Sequence, residues 1–257
     1  MEKKRYHMLD EIRGFAVVCM VVFHGYFAAY MVLDSYEASR LIGFFAPAEP
    51  WFAALFIFIS GVSSTLSSSN LKNALRLSAV AVGISFITLI FGKILSMNLA
   101  IYFGVIHLLA VCLFLAALLS KTRLKMPAVW MILSLALFLL SYDLVYGYPF
   151  FGGLGLSRIG VRLPYGFEGV WWLLPFGFPE LSVPPMADYF PIFPWVFMFI
   201  IGRAAAGFKN AGQLPAFAEK RRIAPLGFIG RHALVIYILH QPLAFGIMFL
   251  IKIIAGV

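Results

Sequence analysis

The chain has 257 residues, of which 62% are hydrophobic and 12% charged, with a formal net charge of +9. A soluble domain carries about 25% charged residues, so this chain cannot clothe a water-facing surface, whereas a lipid-facing surface asks for little charge. With a mean hydropathy of +0.94 and long continuous apolar runs, the composition excludes a water-soluble fold and the alternating ~10-residue strands of a β-barrel.

The expected fold class is therefore all-α integral membrane, a single transmembrane domain over residues 1–257. A crossing needs about 20 mostly apolar residues. Glu2, Lys3, Lys4 and Arg5 carry the charge of a signal-peptide start. The next stretch, however, opens with Tyr6, His7, Asp10, Glu11 and Arg13 and has no small-residue cleavage site, so an uncleaved first helix is expected. It is predicted over residues 12–32, followed by helices over 51–66, 75–95, 102–119 and 127–146. A long connection, 147–188, precedes the sixth helix at 189–208, and the seventh covers 228–254. Cys19 and Cys112 fall inside these segments and read as small buried hydrophobes rather than a disulfide.

Charge sets the orientation. With the N-terminus in the cytoplasm and the C-terminus outside, only Arg40, Lys93, Arg158, Arg162 and Lys252, five of the 20 basic residues, fall outside. The basic residues cluster between apolar runs, which fits membrane topology and not a nucleic-acid surface. In the outer connection, Gly152, Gly153, Pro184 and Pro185 break helix, while Trp171 and Trp172 stand beside Pro175. That pattern suits an aromatic belt at the interface or a lid dipping into the bundle.

An ionisable residue in the bilayer is costly and marks a functional site by default. Three of the five histidines are so placed: His24, His107 and His240 in the first, fourth and seventh predicted helices. Each can act as acid, base or nucleophile near neutral pH. His24 follows Arg13 by eleven residues, about 16 Å of helix rise and close to three turns, so both share one face. Arg13 at the mouth of the bundle can hold a phosphate-bearing donor, or it pairs with Asp10 three residues earlier. His240-Gln241-Pro242 stands in the longest apolar run, where Pro242 removes a backbone donor and is expected to kink the helix. Tyr237 and Gln241, four apart, share a face there. The histidines lie on separate helices without short ligand spacing, so no metal site is expected.

Leu9-Asp10-Glu11-Ile12-Arg13-Gly14-Phe15, followed by Met20 through His24, resembles the opening helix of transmembrane acyltransferases, whose signature is Arg, ten residues, then His. Four further stretches occur in order: Phe56 to Ser63, Tyr102 to Leu108, Ala187 to Gly202, and Gly230-Arg231-His232 to Pro242. Together they resemble the bacterial relatives of heparan-α-glucosaminide N-acetyltransferase. The chain departs from the pattern in two ways. It has no histidine between His24 and His107, where the lysosomal enzymes place one in the first luminal loop. Lys72 and Arg76 also stand where related acyltransferases carry paired arginines.

The resemblance implies a membrane-embedded enzyme moving an acetyl or other acyl group from cytoplasmic acyl-CoA, its donor substrate, to a sugar hydroxyl or amine outside. His24 is the expected general base or transient acyl carrier, with His107 and Asp188 assisting at the acceptor side. Asp188 has an alternative reading as a helix N-cap. Arg13 and Arg231 are the expected contacts to CoA, and Ser63, Tyr237, His240 and Gln241 the lining of the substrate cavity. The expected location is a bacterial inner membrane, and a homo-oligomer is left open. The rival class is a small permease whose histidines relay protons. A retinal-binding bundle is set aside because Lys252 lies at the end of the last helix, not its middle.

Overall fold

A chain crossing hydrocarbon must satisfy its own backbone, which leaves helices or closed barrels. A computed structural model of the chain describes residues 5–119, 126–146, 170–178, 188–208 and 215–256, and among these the regular elements are all helical. They are α1 (His7–Leu33), α2 (Tyr36–Phe45), α3 (Glu49–Leu66), α4 (Asn70–Leu95), α5 (Val105–Leu118), α6 (Pro127–Ser141), α7 (Ile192–Ala205), α8 (Ala224–Arg231) and α9 (Ala233–Ala255).

Helices α1, α3, α4 and α9 are long and apolar enough to cross a membrane. Helices α5, α6 and α7 are apolar but only 14, 15 and 14 residues long. At 1.5 Å per residue they reach about 21–23 Å, short of a ~30 Å hydrocarbon core. The expected fourth helix starts at Val105, not Tyr102, and the expected seventh is two helices, α8 and α9, broken at His232. Helix α9 runs on through Pro242. Helix α2, expected as loop, is amphipathic and too short to cross; Ser35 caps it by accepting the Ala38 N–H at 3.2 Å. Of the outer connection, the described part is the 3₁₀ turn Trp171–Phe176, where Trp171 is 75% exposed. Residues 147–169 and 179–187 lie outside the described residues.

The chain forms two compact units, Met1–Ile59 with Leu214–Val257, and Ser60–Gln213. In the first, α1 packs against α8 and α9. Two glycines set the α1–α8 approach: a Cβ on Gly14 would strike the Leu226 carbonyl, and one on Gly230 the Asp10 carbonyl. Small residues at such a crossing let backbones touch. The buried Glu11 carboxylate accepts the N–H groups of Arg222 at 2.7 Å and Ile223 at 2.9 Å, supplying acceptors at the start of α8. At the far end of α1, Lys252 Nζ donates to the Val32 carbonyl at 3.0 Å, a cation on the orphan carbonyls of a helix C-terminus.

In the second unit, α4 pairs with α5 and α6 with α7. After α4 the chain doubles back along it without helix. Ile101 donates its N–H to Thr88 Oγ1 at 3.1 Å, and its carbonyl accepts from Ser85 Oγ at 2.7 Å. These hydroxyls replace the backbone partners that a helix would have provided.

Gly230→Ala is expected to cost about 1–3 kcal/mol by overpacking the α1–α8 crossing, read as a lower thermal midpoint in detergent. Gly246→Ala, with nothing within 4 Å of the new Cβ, is expected to stabilise the protein by about 0.5–1 kcal/mol.

Candidate active site

Pinned to α1 by its glycines and by Glu11, α8 ends at His232, and α9 then runs back beside α1. This brings together His24 and His240, 216 positions apart in sequence, with His240 Nε2 2.9 Å from His24 Nδ1. Their ring centroids are 4.9 Å apart. Both side chains are buried, at 4% and 7% exposure. His240 Nδ1 lies 2.7 Å from the Tyr237 carbonyl, and the Tyr237 ring packs 5.4 Å from the imidazole.

The tautomers follow from this chain. A carbonyl only accepts, so His240 carries its proton on Nδ1 and presents the lone pair of Nε2 to His24. His24 must then donate through Nδ1–H, which in the neutral ring leaves the lone pair on Nε2. Carbonyl, imidazole and imidazole form a directed series. If His24 Nε2 takes a proton, the positive charge already faces an acceptor, and that acceptor faces another.

Along α1 from His24 lies Arg13, whose Nη1 meets Asp10 Oδ1 at 3.2 Å. Of the two readings of Arg13, the pairing with Asp10 is present. The same carboxylate takes Arg5 at 3.0 Å, so two cations share one anion. Arg231, the last residue of α8, stacks over Phe228 with its guanidinium carbon 5.9 Å from the ring centroid. Gly230 against Asp10 places the Arg231 end of α8 at this same end of α1.

His107 and Asp188 are in the second unit, brought together at the start of α5. His107 Nδ1 accepts the Gly104 N–H at 3.2 Å. Its proton is then on Nε2, which donates to Ser85 Oγ at 3.0 Å, and that hydroxyl donates to the Ile101 carbonyl. Both ring nitrogens thus hold the backbone that leads into α5. Asp188 is 2% exposed, and its carboxylate faces the Val105 N–H at 3.3 Å. It caps α5; the cap of α7, where the sequence placed it, is Pro191. A Cβ on Gly104 would collide with this carboxylate. Ser63 is half-buried near the end of α3, and Gln241 is half-buried next to His240.

Residues 5–242 match the catalytic family of heparan-alpha-glucosaminide N-acetyltransferase. The chain belongs to this family. No curated protein and no solved structure matches it. Membership, with four helices among the described residues long and apolar enough to cross a bilayer, makes it an integral membrane protein of an acetyltransferase family. The match to the N-acetyltransferase family spans both histidines of the α1–α9 pair and the whole cation-rich end of α1.

Sequence reasoning missed Glu11 and the Tyr237 carbonyl. Glu11 looked like one more terminal charge, although a carboxylate buried near the start of an apolar helix needs a donor. The carbonyl carries no sequence signal. In spectra of ¹⁵N-histidine-labelled protein near neutral pH, His24 and His240 are expected as Nδ1–H tautomers and His107 as Nε2–H. A proton on Nε2 of neutral His24 would remove the donor to His240 and sink the arrangement.

Proposed function

We propose that the chain transfers an acyl group, usually acetyl, from cytoplasmic acyl-CoA to a sugar hydroxyl or amine on the extracytoplasmic side of a bacterial inner membrane. The observation that carries this reading is the series from the Tyr237 carbonyl through His240 to His24. Membership of an acetyltransferase family supports it, as does the asymmetric spread of lysines and arginines.

His24 Nε2 is the general base. It takes the proton of the acceptor O–H or N–H while that oxygen or nitrogen attacks the thioester carbonyl. The tetrahedral intermediate collapses, the C–S bond breaks, and the departing thiolate recovers the proton from His24. The acyl group leaves on the acceptor, CoA leaves as the thiol, and His24 returns to its starting tautomer. His240 and the Tyr237 carbonyl orient the ring and stabilise the imidazolium. Such a positioned base contributes about 10²–10⁴-fold in rate.

Arg13 and Arg231 hold the phosphates of the donor. Arg13 lies about 16 Å along α1 from His24, a separation that suits a donor whose charged and reactive ends are far apart. Tyr237 and Gln241, beside His240 on α9, line the acceptor path. Asp188 and His107 hold the start of α5.

The test is transfer of labelled acetyl from acetyl-CoA to an amino sugar by purified protein. His24→Ala is expected to lower kcat by about 10²–10⁴-fold in a protein that still elutes as a folded species in detergent. No interaction with any acyl-CoA at millimolar concentration would overturn the reading and favour a permease in which the same histidines relay protons.

A further inference from the structure

One segment of the first unit, residues 215–223, takes no part in the chemistry above. It returns the chain to the start of α1. A 3₁₀ turn, Ala216–Ala218, opens it and packs on α1. Ala218 is fully buried, and its N–H donates to the Pro215 carbonyl at 2.9 Å. At the other end the buried Glu11 carboxylate takes the N–H groups of Arg222 and Ile223. The backbone of the segment is thus fixed to α1 at both ends.

Its exposed side chains are of two kinds. Lys220, Arg221 and Arg222 are exposed, and so are Phe217 and Ile223, each at 51%. The Arg222 guanidinium carbon lies 6.0 Å from the centre of the Phe217 ring, so cation and apolar surface are adjacent. Membrane topology accounts for the charges. It does not account for two large apolar side chains left open outside the crossing helices. A soluble phosphate would answer the cations and leave Phe217 and Ile223 in water. The height of the segment decides what answers both. Helix α1 has 27 residues, about 40 Å of rise against a ~30 Å hydrocarbon core, so its first turn stands among the headgroups. Glu11 lies about 6 Å along α1 from His7, and the segment it holds is therefore level with the boundary between headgroups and acyl chains.

We infer that residues 217–223 form a binding surface for anionic phospholipid in the leaflet where α1 begins, the cytoplasmic one in the orientation proposed above. Lys220, Arg221 and Arg222 meet the headgroup phosphates, while Phe217 and Ile223 enter the acyl boundary. Glu11 holds the segment at the one height where both contacts are made. The surface rests on α1 crossing the membrane and not on the acyl-transfer reading.

The test is displacement of a fluorescent phosphatidylglycerol from the full-length protein in detergent by unlabelled short-chain phosphatidylglycerol and phosphatidylcholine. Each cation at an anionic lipid surface strengthens binding about fivefold, and three do so about a hundredfold. The unaltered protein is expected to prefer phosphatidylglycerol. Lys220→Gln, Arg221→Gln and Arg222→Gln together are expected to lower that preference about a hundredfold, and the two arginines replaced by lysine to keep it. Phe217→Ser is expected to weaken both lipids about tenfold, through lost apolar contact. No preference in the unaltered protein, or a preference that survives the triple substitution, overturns the inference. Undiminished binding of both lipids to Phe217→Ser overturns it as well. Displacement of the fluorescent lipid by millimolar inorganic phosphate would assign the cations to a soluble anion and overturn it in that way.

Discussion

A polar side chain inside an apolar helix must find its hydrogen-bond partner within the protein, because lipid offers none. In this chain that constraint organises the parts that matter. His24 is answered by His240, and His240 by the backbone carbonyl of Tyr237. The start of α5 is answered by His107 and Asp188, and the returning chain at Ile101 by two hydroxyls of α4. Satisfying these groups fixes tautomers and directions, and direction is what turns a buried imidazole into a base with a defined reactive nitrogen.

The histidine pair depends on packing some distance from it. Gly14 and Gly230 let α8 lie directly on α1, and Glu11 ties the start of α8 to the same helix. The short α8 then acts as a bracket that sets the height and rotation at which α9 begins. Lys252 on the Val32 carbonyl closes the other end. A change at Gly230 is therefore expected to reach His240 through backbone geometry without touching either imidazole. Coupling of this kind lets a small residue far from the chemistry matter to it.

Much of this was legible in the sequence, and the reasons differ by residue. Arg13 and His24 on one face follow from helical periodicity alone, and α1 keeps that period throughout. His240 was legible as a buried imidazole, but its pairing with His24 is a contact across 216 positions that no local pattern encodes. His107 was misplaced because Tyr102 and Phe103 continue the apolar run, so a hydropathy window extends the helix past its true start. Once α5 begins at Val105, His107 is its third residue and reaches back to the Gly104 N–H. The break at His232 was invisible for the same reason, being flanked by apolar residues on both sides. Helix α2 escaped because a search for crossings passes over ten amphipathic residues. Arg203 read as a topology charge, since only the packed structure reveals that it donates to Ser64 Oγ and the Leu119 carbonyl.

The central claim is that His24 and His240 act as one unit. It is tested most directly by a double-mutant cycle on kcat/KM for acetyl transfer with His24→Ala, His240→Phe and the double variant. If His240 works only through His24, the double variant is expected to lose no more activity than His24→Ala alone, the non-additivity of residues that act together. Losses that instead sum across the two positions would show independent roles and contradict the account.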